Sequence, residues 1–509
     1  MLFRYTASAD NTIVSAYQQN LKTRGSGANA GLADIVEVFS IYGRQTPATP
    51  STTASQELSR YLVKFPIGTI TTDRTSGKIP ASGKVSFYLR MFNAKTSKTV
   101  PREFKLGAHR ITEDWEEGIG LDLEGYKDLV KGNMGSDWIQ RKKDSMWTDV
   151  GGTYSLAEDE YFEQLFSDGL ENLEMNITPL VEKWIAGTAD NYGMLVKLSG
   201  AYEASASVEY AAEDSSVIVN ATGATTSYYT KRFFARGTQF FFKRPVIEAR
   251  WDDSIRDDRT NFYLSSARAP AADNLNTLYF YNIIRGRLVD IPSVGTNPIL
   301  VSLYSGSSDD SVPSGSKLIL YDGKYNLTGG WTSTGIYSCS VGITASSPAL
   351  STMYDVWHSG GVEYFTGSFE PLKYDTGTTA APLQYYINIS NLKDSYSIED
   401  TVRLTLYSRN KDWEPNIYTV ANATPDVVPM ISASYRVYRI VDGYPAVPHG
   451  TGSDYHTGLS YDVSGNYFDF DMGLLEAGYS YGFRFSLYDD IAQSWQEQGA
   501  VFKFKVEEF

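Results

Sequence analysis

Four histidines, a single cysteine and several aspartate pairs are the side chains of this sequence best suited to metal binding or catalysis. His109, His358, His449 and His456 are scattered, and only His449 and His456 lie close, in a glycine-rich stretch that also holds Asp454. That spacing holds a metal only with further ligands, so a solvated loop is the plainer reading. Cys339 stands between Ser338 and Ser340 in a strand-like run, with no Gly-x-Ser-x-Gly elbow or cysteine–histidine signature. It reads as a small buried side chain, not a nucleophile. Asp252-Asp253, Asp257-Asp258, Asp309-Asp310 and Asp489-Asp490, with Asp469 and Asp471 alternating along a strand, offer oxygen ligands for calcium. None has the spacing of a calcium loop, and exposed turns are expected. Gly329-Gly330 and Gly360-Gly361 lack the Lys-Ser/Thr and helix of a phosphate loop and read as hairpin turns. Glycoside hydrolysis needs two carboxylates across a cleft, a geometry that spacing does not encode. No catalytic residue, cofactor or metal is assigned, and a non-enzymatic protein is expected.

Two surface features carry more. Lys231, Arg232, Arg236, Lys243, Arg244 and Arg250 interleave with Phe233, Phe234 and Phe240 to Phe242. Such a stripe suits an acidic protein partner ahead of nucleic acid or a sulfated glycan; the plainer reading is strand side chains alternating with core phenylalanines. Tyr228-Tyr229, Leu278 to Tyr281 and Tyr385-Tyr386 put aromatics on both faces of a strand. Burial of the second face against another subunit is the economical expectation, with a thick sandwich under long covering loops as its rival. The candidate interaction surface is therefore Lys231, Arg232, Arg236, Lys243, Arg244, Tyr228, Tyr229, Tyr385 and Tyr386.

The elements that must position these residues are mostly strands. Val85, Phe87, Leu89 and Met91 alternate with Ser86 and Arg90; Val402, Leu404 and Leu406 share a face; Tyr481, Phe483, Phe485 and Leu487 oppose Gly482, Arg484 and Ser486. Period-2 alternation of this kind predicts half-buried antiparallel strands, and Tyr61 to Phe65, Ile299 to Tyr304, Tyr385 to Ile389 and Val501 to Val506 read alike. Two helices are predicted. Glu158 to Leu170 has Tyr161, Phe162, Leu165 and Phe166 on one stripe; Thr178 to Ala186 has Thr178 as cap, Pro179 in the first turn and Gly187 as its stop.

With 509 residues the chain exceeds one hydrophobic core. Linkers at Ala267 to Asn274 and Asp375 to Pro382 divide it into modules over 1–266, 275–376 and 382–509, whereas Pro47 to Ser55 reads as a surface loop. The expected fold is all-β: an N-terminal jelly roll with one or two short helices, then two immunoglobulin-like sandwiches. A net charge of −15 argues against capture of nucleic acid by the whole surface. The charge is uneven: 31 basic and 34 acidic residues up to Ala269 (net −3) against 14 and 26 from Pro270 onward (net −12), as separate modules would show. One cysteine excludes a disulfide within the chain. No apolar run of about 18 residues, and no basic region followed by an apolar one at the start, predicts a membrane span or signal peptide.

Several phrases of the first module, in order, resemble the DNRLRE (disaggregatase-related) family, a jelly roll related to carbohydrate-binding modules. They are Ser59 to Phe65 with Val85 to Phe92, then Ile111-Thr112-Glu113-Asp114-Trp115-Glu116-Glu117-Gly118, and Trp147 with Val150-Gly151-Gly152. Thr178 to Ala186 with Trp184, Asn191 to Leu195, Phe233 to Arg236 and Arg244 to Trp251 complete the set. The resemblance covers about Glu57 to Asp253 and is interrupted by polar insertions at Asp122 to Lys143 and Tyr202 to Thr226. It implies a virion protein of a tailed phage, made in the host cytoplasm, with immunoglobulin-like modules after the jelly roll. The expected function is a non-enzymatic structural component of the tail, baseplate, neck or fibre. Its partners would be other virion proteins and copies of itself in a symmetric assembly, with no nucleic acid and no membrane insertion. The alternative is a carbohydrate-binding adhesin that meets a host surface glycan through Trp115, Trp147 or Trp251.

Overall fold

A computed structural model describes residues 1–17, 24–25, 28–45, 53–97, 99–121, 134–203, 224, 226–264, 270, 274–307, 311–343, 350–372, 385–411, 427–489 and 492–508. The expected linkers at Ala267 to Asn274 and Asp375 to Pro382, and Asp309-Asp310, lie wholly or largely outside these residues, as do much of the Pro47 to Ser55 loop and of both polar insertions. The chain is all-β and divides into two compact units, Met1–Asp252 and Asp253–Phe509.

The first unit stacks two antiparallel sheets. The smaller runs Leu2–Thr6, Val246–Arg250, Ser86–Met91, Leu173–Asn176. The larger has Thr53–Lys64 at its centre: residues 53–58 pair with Ile35–Gln45 and residues 61–63 with Met194–Leu198, while Ala9–Tyr17 lies along the opposite edge. Phe104–Arg110 and Tyr161–Phe166 extend the sheet past Met194–Leu198, and Tyr228–Phe234 extends it past Ile35–Gln45. Tyr61, Val63, Phe87, Leu89, Met91, Leu106 and Val196 fill the space between the sheets. The larger sheet is buried on its outer face as well. Ile13, Leu58, Leu62 and Leu195 pack there under Ile111, Trp115, Trp138 and Trp147, which arrive from the chain between 111 and 147. In this unit the covering-loop reading therefore accounts for aromatics beyond one core.

Thr178–Ala186 is a helix that buries Leu180, Val181 and Trp184 and ends at Gly187, whose φ of 70° favours glycine. Thr178 is not its cap: the Thr178 hydroxyl accepts from the Phe87 N–H at 2.8 Å and donates to Asn176. The helix expected over Glu158 to Leu170 is instead a short 3-10 turn, Glu158–Glu160, followed by the strand Tyr161–Phe166. Pairing with Phe104–Arg110 overrides the helical spacing of its aromatics. A second helix, Ile67–Thr75, was not legible, because its threonines and isoleucines favour strands. It is held by burial of Ile67 and Ile70 and by the Arg74–Glu182 pair to the other helix, at 2.6 and 2.8 Å.

The second unit holds two cores. The first belongs to a six-stranded antiparallel sheet ordered Asn276–Tyr281, Ile336–Val341, Leu327–Ser333, Ile299–Gly306, Thr352–Ser359, Val362–Phe369. Phe280 and Phe365 come from its two edge strands, yet their rings lie 5.2 Å apart, so the sheet curls around its own core. The second core lies between a sheet ordered Tyr385–Ile389, Thr401–Asn410, Gly465–Asp471, Ser460–Asp462 and one ordered Ser395–Ser397, Phe502–Glu507, Ser480–Asp489, Ala433–Arg439, Pro445–Val447. The expected first boundary moves from 266 back to 252 for a physical reason. Residues 255–257 bond to Ser460 and Tyr461, and Phe262 enters the first of these two cores, 4.8 Å from Phe369. One segment thus ties both sandwiches together, and the Tyr281 and Tyr467 hydroxyls meet at 2.9 Å.

Candidate functional site

The basic stripe comes apart in three dimensions. Alternation along Tyr228–Phe234 turns Lys231 and Phe233 inward and Arg232 outward. Lys231 is 2% exposed and is spent inside the unit. Arg232 pairs with Glu37 at 2.5 Å, and Arg236 grips both oxygens of Glu117 at 2.8 Å while its backbone N–H donates to Asp10. The Lys243 ammonium lies over Phe234 and Phe240, at 5.0 and 5.4 Å. Arg244 donates to the Thr238 carbonyl and covers Phe241 at 5.1 Å. Tyr228 is half-buried, edge-on to Tyr202 at 5.3 Å; Tyr229 lies in the same strand, and its side chain is outside the described residues. Tyr385 and Tyr386 belong to the other unit. Tyr385 is half-buried, whereas Tyr386 is 50% exposed beneath the Arg409 guanidinium. The nine residues are divided between the two units; Phe241 in the first and Tyr386 in the second are exposed aromatics, each beside a cation, and Lys243 and Arg244 are half-buried.

Several other charged groups of the first unit are buried and matched to one another. On the outer face of the smaller sheet, Glu248 accepts from Arg4, Arg90 and Arg250, and Glu174 from Arg250. Burial would raise the Glu248 carboxyl, but the Arg90, Arg4 and Arg250 guanidinium groups hold it well below the usual range. On the outer face of the larger sheet, Arg60 and Lys197 share Glu203, at 3.1 and 2.9 Å, beside Trp138 and Tyr154. Asp10 is different: burial pushes its carboxyl up to about 6, despite hydrogen bonds from the Arg236 N–H and the Tyr61 hydroxyl. Local spacing could not show Arg4 or Arg90 with Glu248, Arg250 with Glu174, or Arg60 with Glu203 as partners, because each of these pairs joins segments far apart in the chain.

The histidines do not converge. His109 is stacked on Tyr161 at 4.3 Å and bonded to the Ser155 carbonyl, and burial together with Lys197 lowers it to about 4. His358 bonds to Ser302, His449 to Ser486, and His456 lies 3.3 Å from Asp454. Among the described residues no group of three or more His, Cys, Asp or Glu is placed to hold a metal ion. Cys339 is buried, and burial with the nearby Asp355 charge pushes its thiol up to about 12, which suppresses the reactive thiolate. Two aspartates read as exposed turns are internal latches instead: Asp257 binds Arg259, and Asp258 accepts from the Thr277 N–H and the Tyr461 hydroxyl. A cavity of about 30 Å³ in the second unit, lined by Asp253, Arg403, His456 and Asp469, has room for a water rather than a substrate.

All five tryptophans of the first unit are buried, Trp115, Trp147 and Trp251 among them. Apolar surface is presented elsewhere. In the second unit Ile283 and Ile284 open a two-stranded hairpin with Arg287–Leu288 and are 61% and 46% exposed. Val289 and Trp331 are partly exposed next to it, and Asp290 anchors the group by accepting from Trp331 Nε1 and the Gly335 N–H. The isoleucine pair in a short turn-flanked run was the available sequence signal. The second feature that sequence reasoning missed is Tyr481. Its hydroxyl donates to the Glu476 carbonyl at 3.0 Å and accepts from the Glu476 N–H at 2.9 Å, closing the corner into Ser480–Asp489.

Among the described residues no helix is long and apolar enough to cross a membrane. No protein-family model matches the chain, and no curated protein matches it.

Proposed function

We propose that this chain is a non-enzymatic structural component of a tailed-phage virion, in the tail, baseplate, neck or fibre, acting through contacts with other virion proteins and with copies of itself. The observation that carries the reading is the exposed Ile283, Ile284, Val289 and Trp331 group at a short hairpin, a form of surface that a β-module presents to a partner. The Phe241, Lys243 and Arg244 cluster is a second such surface. Catalytic readings have less support, since the buried acids and bases described above are engaged with one another.

The DNRLRE-like phrases of the first unit support the same reading, because they fall on the sandwich strands and on the tryptophan-bearing cover. The last module adds an immunoglobulin-like signature. With Ser395–Ser397 lettered A′ and the short strand Ser494–Glu497 left unlettered, an ABED and A′GFCC′ reading fits its strand orders, and the Tyr481 bond to Glu476 at the start of the strand lettered F supports it. The glycan-binding alternative loses its platforms, because Trp115, Trp147 and Trp251 pack in cores.

Mass spectrometry of purified particles with cross-linking tests the proposal. The chain is expected at a fixed copy number, with cross-links from the 283–289 hairpin, and Ile283→Lys with Ile284→Lys is expected to abolish incorporation while the circular dichroism spectrum is kept. A monodisperse monomer absent from particles overturns it.

A further inference from the structure

Lys231 occupies a core position. In the register of its strand Lys231 stands opposite Val38, and Phe233 opposite Val36, with all four side chains buried. Its amine donates to Asn93 Oδ1 at 2.7 Å, to the Gly169 carbonyl at 2.9 Å and to the Glu171 carbonyl at 2.7 Å. The rings of Phe166 and Phe233 flank it at 4.9 and 5.0 Å. Asn93 is fixed in turn: its N–H donates to Asn172 Oδ1 at 2.8 Å, and its backbone bridges Phe233. A third group completes the site. Glu171 Oε1 accepts from the Ser167 and Asp168 N–H groups, while Oε2 is buried without a hydrogen-bond partner.

We propose that Lys231 and Asn93 join in an intramolecular isopeptide bond that the folded first unit forms by itself. The reaction needs a neutral amine held against an amide carbon, in a site dry enough to keep water from competing. Burial lowers the lysine to about 8, against the opposing charges of Glu171 and Asp168, so a usable fraction is deprotonated near neutral pH. Lys231 Nζ attacks Asn93 Cγ, and the Cγ–Nδ2 bond breaks as the intermediate collapses. The ammonium of Lys231 and the carboxamide of Asn93 become one secondary amide and one ammonium ion, so atoms and charge balance with no oxidant or co-reactant. The proton that Lys231 Nζ sheds leaves on the departing Nδ2 as ammonium, and the Glu171 and Asp168 carboxylates favour that positive charge through their field.

Placement gives the bond a purpose. Asn93 follows Ser86–Met91 of the smaller sheet, and Lys231 lies in a strand of the larger one. A covalent link there would staple the two sheets in a chain whose single cysteine permits no disulfide. A particle component that must bear load would gain resistance to unfolding from such a closure.

Intact-mass measurement of the purified full-length protein, held at pH 8, tests the proposal. The expected mass is about 17 Da below the sequence mass, one ammonia, and a digest yields a branched peptide joining the segments of Asn93 and Lys231. Lys231→Arg and Asn93→Ala are expected to lack both the deficit and the branched peptide. A wild-type protein at its full sequence mass, with Lys231 and Asn93 recovered in separate unmodified peptides, overturns it whatever the variants do. The result does not depend on where the protein resides, so it stands or falls apart from the virion assignment.

Discussion

Arg259 and Asp355 form a two-pronged pair sealed inside the second unit, with Nε 3.1 Å from Oδ1 and Nη2 2.5 Å from Oδ2. Asp257 closes on the same guanidinium, Trp357 donates to Asp355 at 2.6 Å, and the Tyr279 carbonyl takes a further hydrogen bond. Arg259→Met leaves two buried carboxylates without their cation, which is expected to cost about 3–5 kcal/mol. Urea denaturation checks this, and a loss under about 1 kcal/mol would contradict an integral role for the pair.

Tyr481 and Glu476 give a second test in the same unit. Tyr481→Phe keeps the ring in the core but strands the N–H and carbonyl of Glu476, so a loss of about 1–3 kcal/mol is expected. The comparison with Tyr488→Phe is informative, because the Tyr488 hydroxyl makes only an exposed 3.4 Å contact to Gln493 and its removal should be near neutral.

Where one face of a strand carries the whole apolar signal, the core face was legible: Tyr481, Phe483, Phe485 and Leu487, and Val85, Phe87, Leu89 and Met91, are all buried, although Gly482 and Ser486 on the opposite face are buried too. Arg90 shows the limit, since it alternates outward as expected yet is buried, because Glu248 arrives from a strand far along the chain. Lys231 shows the same limit from the opposite direction. A lysine within a basic stripe looks like surface, and only Asn93, Gly169 and Glu171, all distant in sequence, make an interior place tolerable. Tyr161 and Phe166 misled for a related reason: helical spacing is a local property, whereas the stacking of Tyr161 on His109 is a cross-strand one. The Tyr481 corner, whose two partners are only five residues apart, could have been read.

Gly151 is required by geometry. Its φ is 83°, and a Cβ there would stand 2.7 Å from the Trp138 ring and 2.8 Å from Arg60 Nη1. Its carbonyl accepts from Arg60, and its N–H donates to the Trp138 carbonyl at 2.7 Å. Gly151→Ala adds backbone strain of about 1–3 kcal/mol before any displacement of the tryptophan. A lowered thermal midpoint with a red-shifted tryptophan emission is expected, since Trp138 would move toward solvent; an unchanged midpoint and spectrum would refute the requirement.

His109 sets an acid limit on the first unit. Its folded pKa of about 4 lies below the 6.5 of a free imidazole, because burial and Lys197 disfavour the charged ring. A depressed folded value means that the contribution is complete above pH 6.5 and is lost as pH falls toward 4, about 2 kcal/mol of it by pH 5. Asp10 and Asp137, both pushed up to about 6 chiefly by burial, act with the opposite sign: their contribution is complete at low pH and fades as pH rises through 6. The net pH profile therefore mixes both, and His109→Gln separates them, because it removes the imidazole and leaves both carboxyls in place. Between pH 7 and pH 5 wild type is expected to lose about 2 kcal/mol relative to that variant in urea denaturation. An NMR titration placing His109 near 6.5 would remove the basis for that difference.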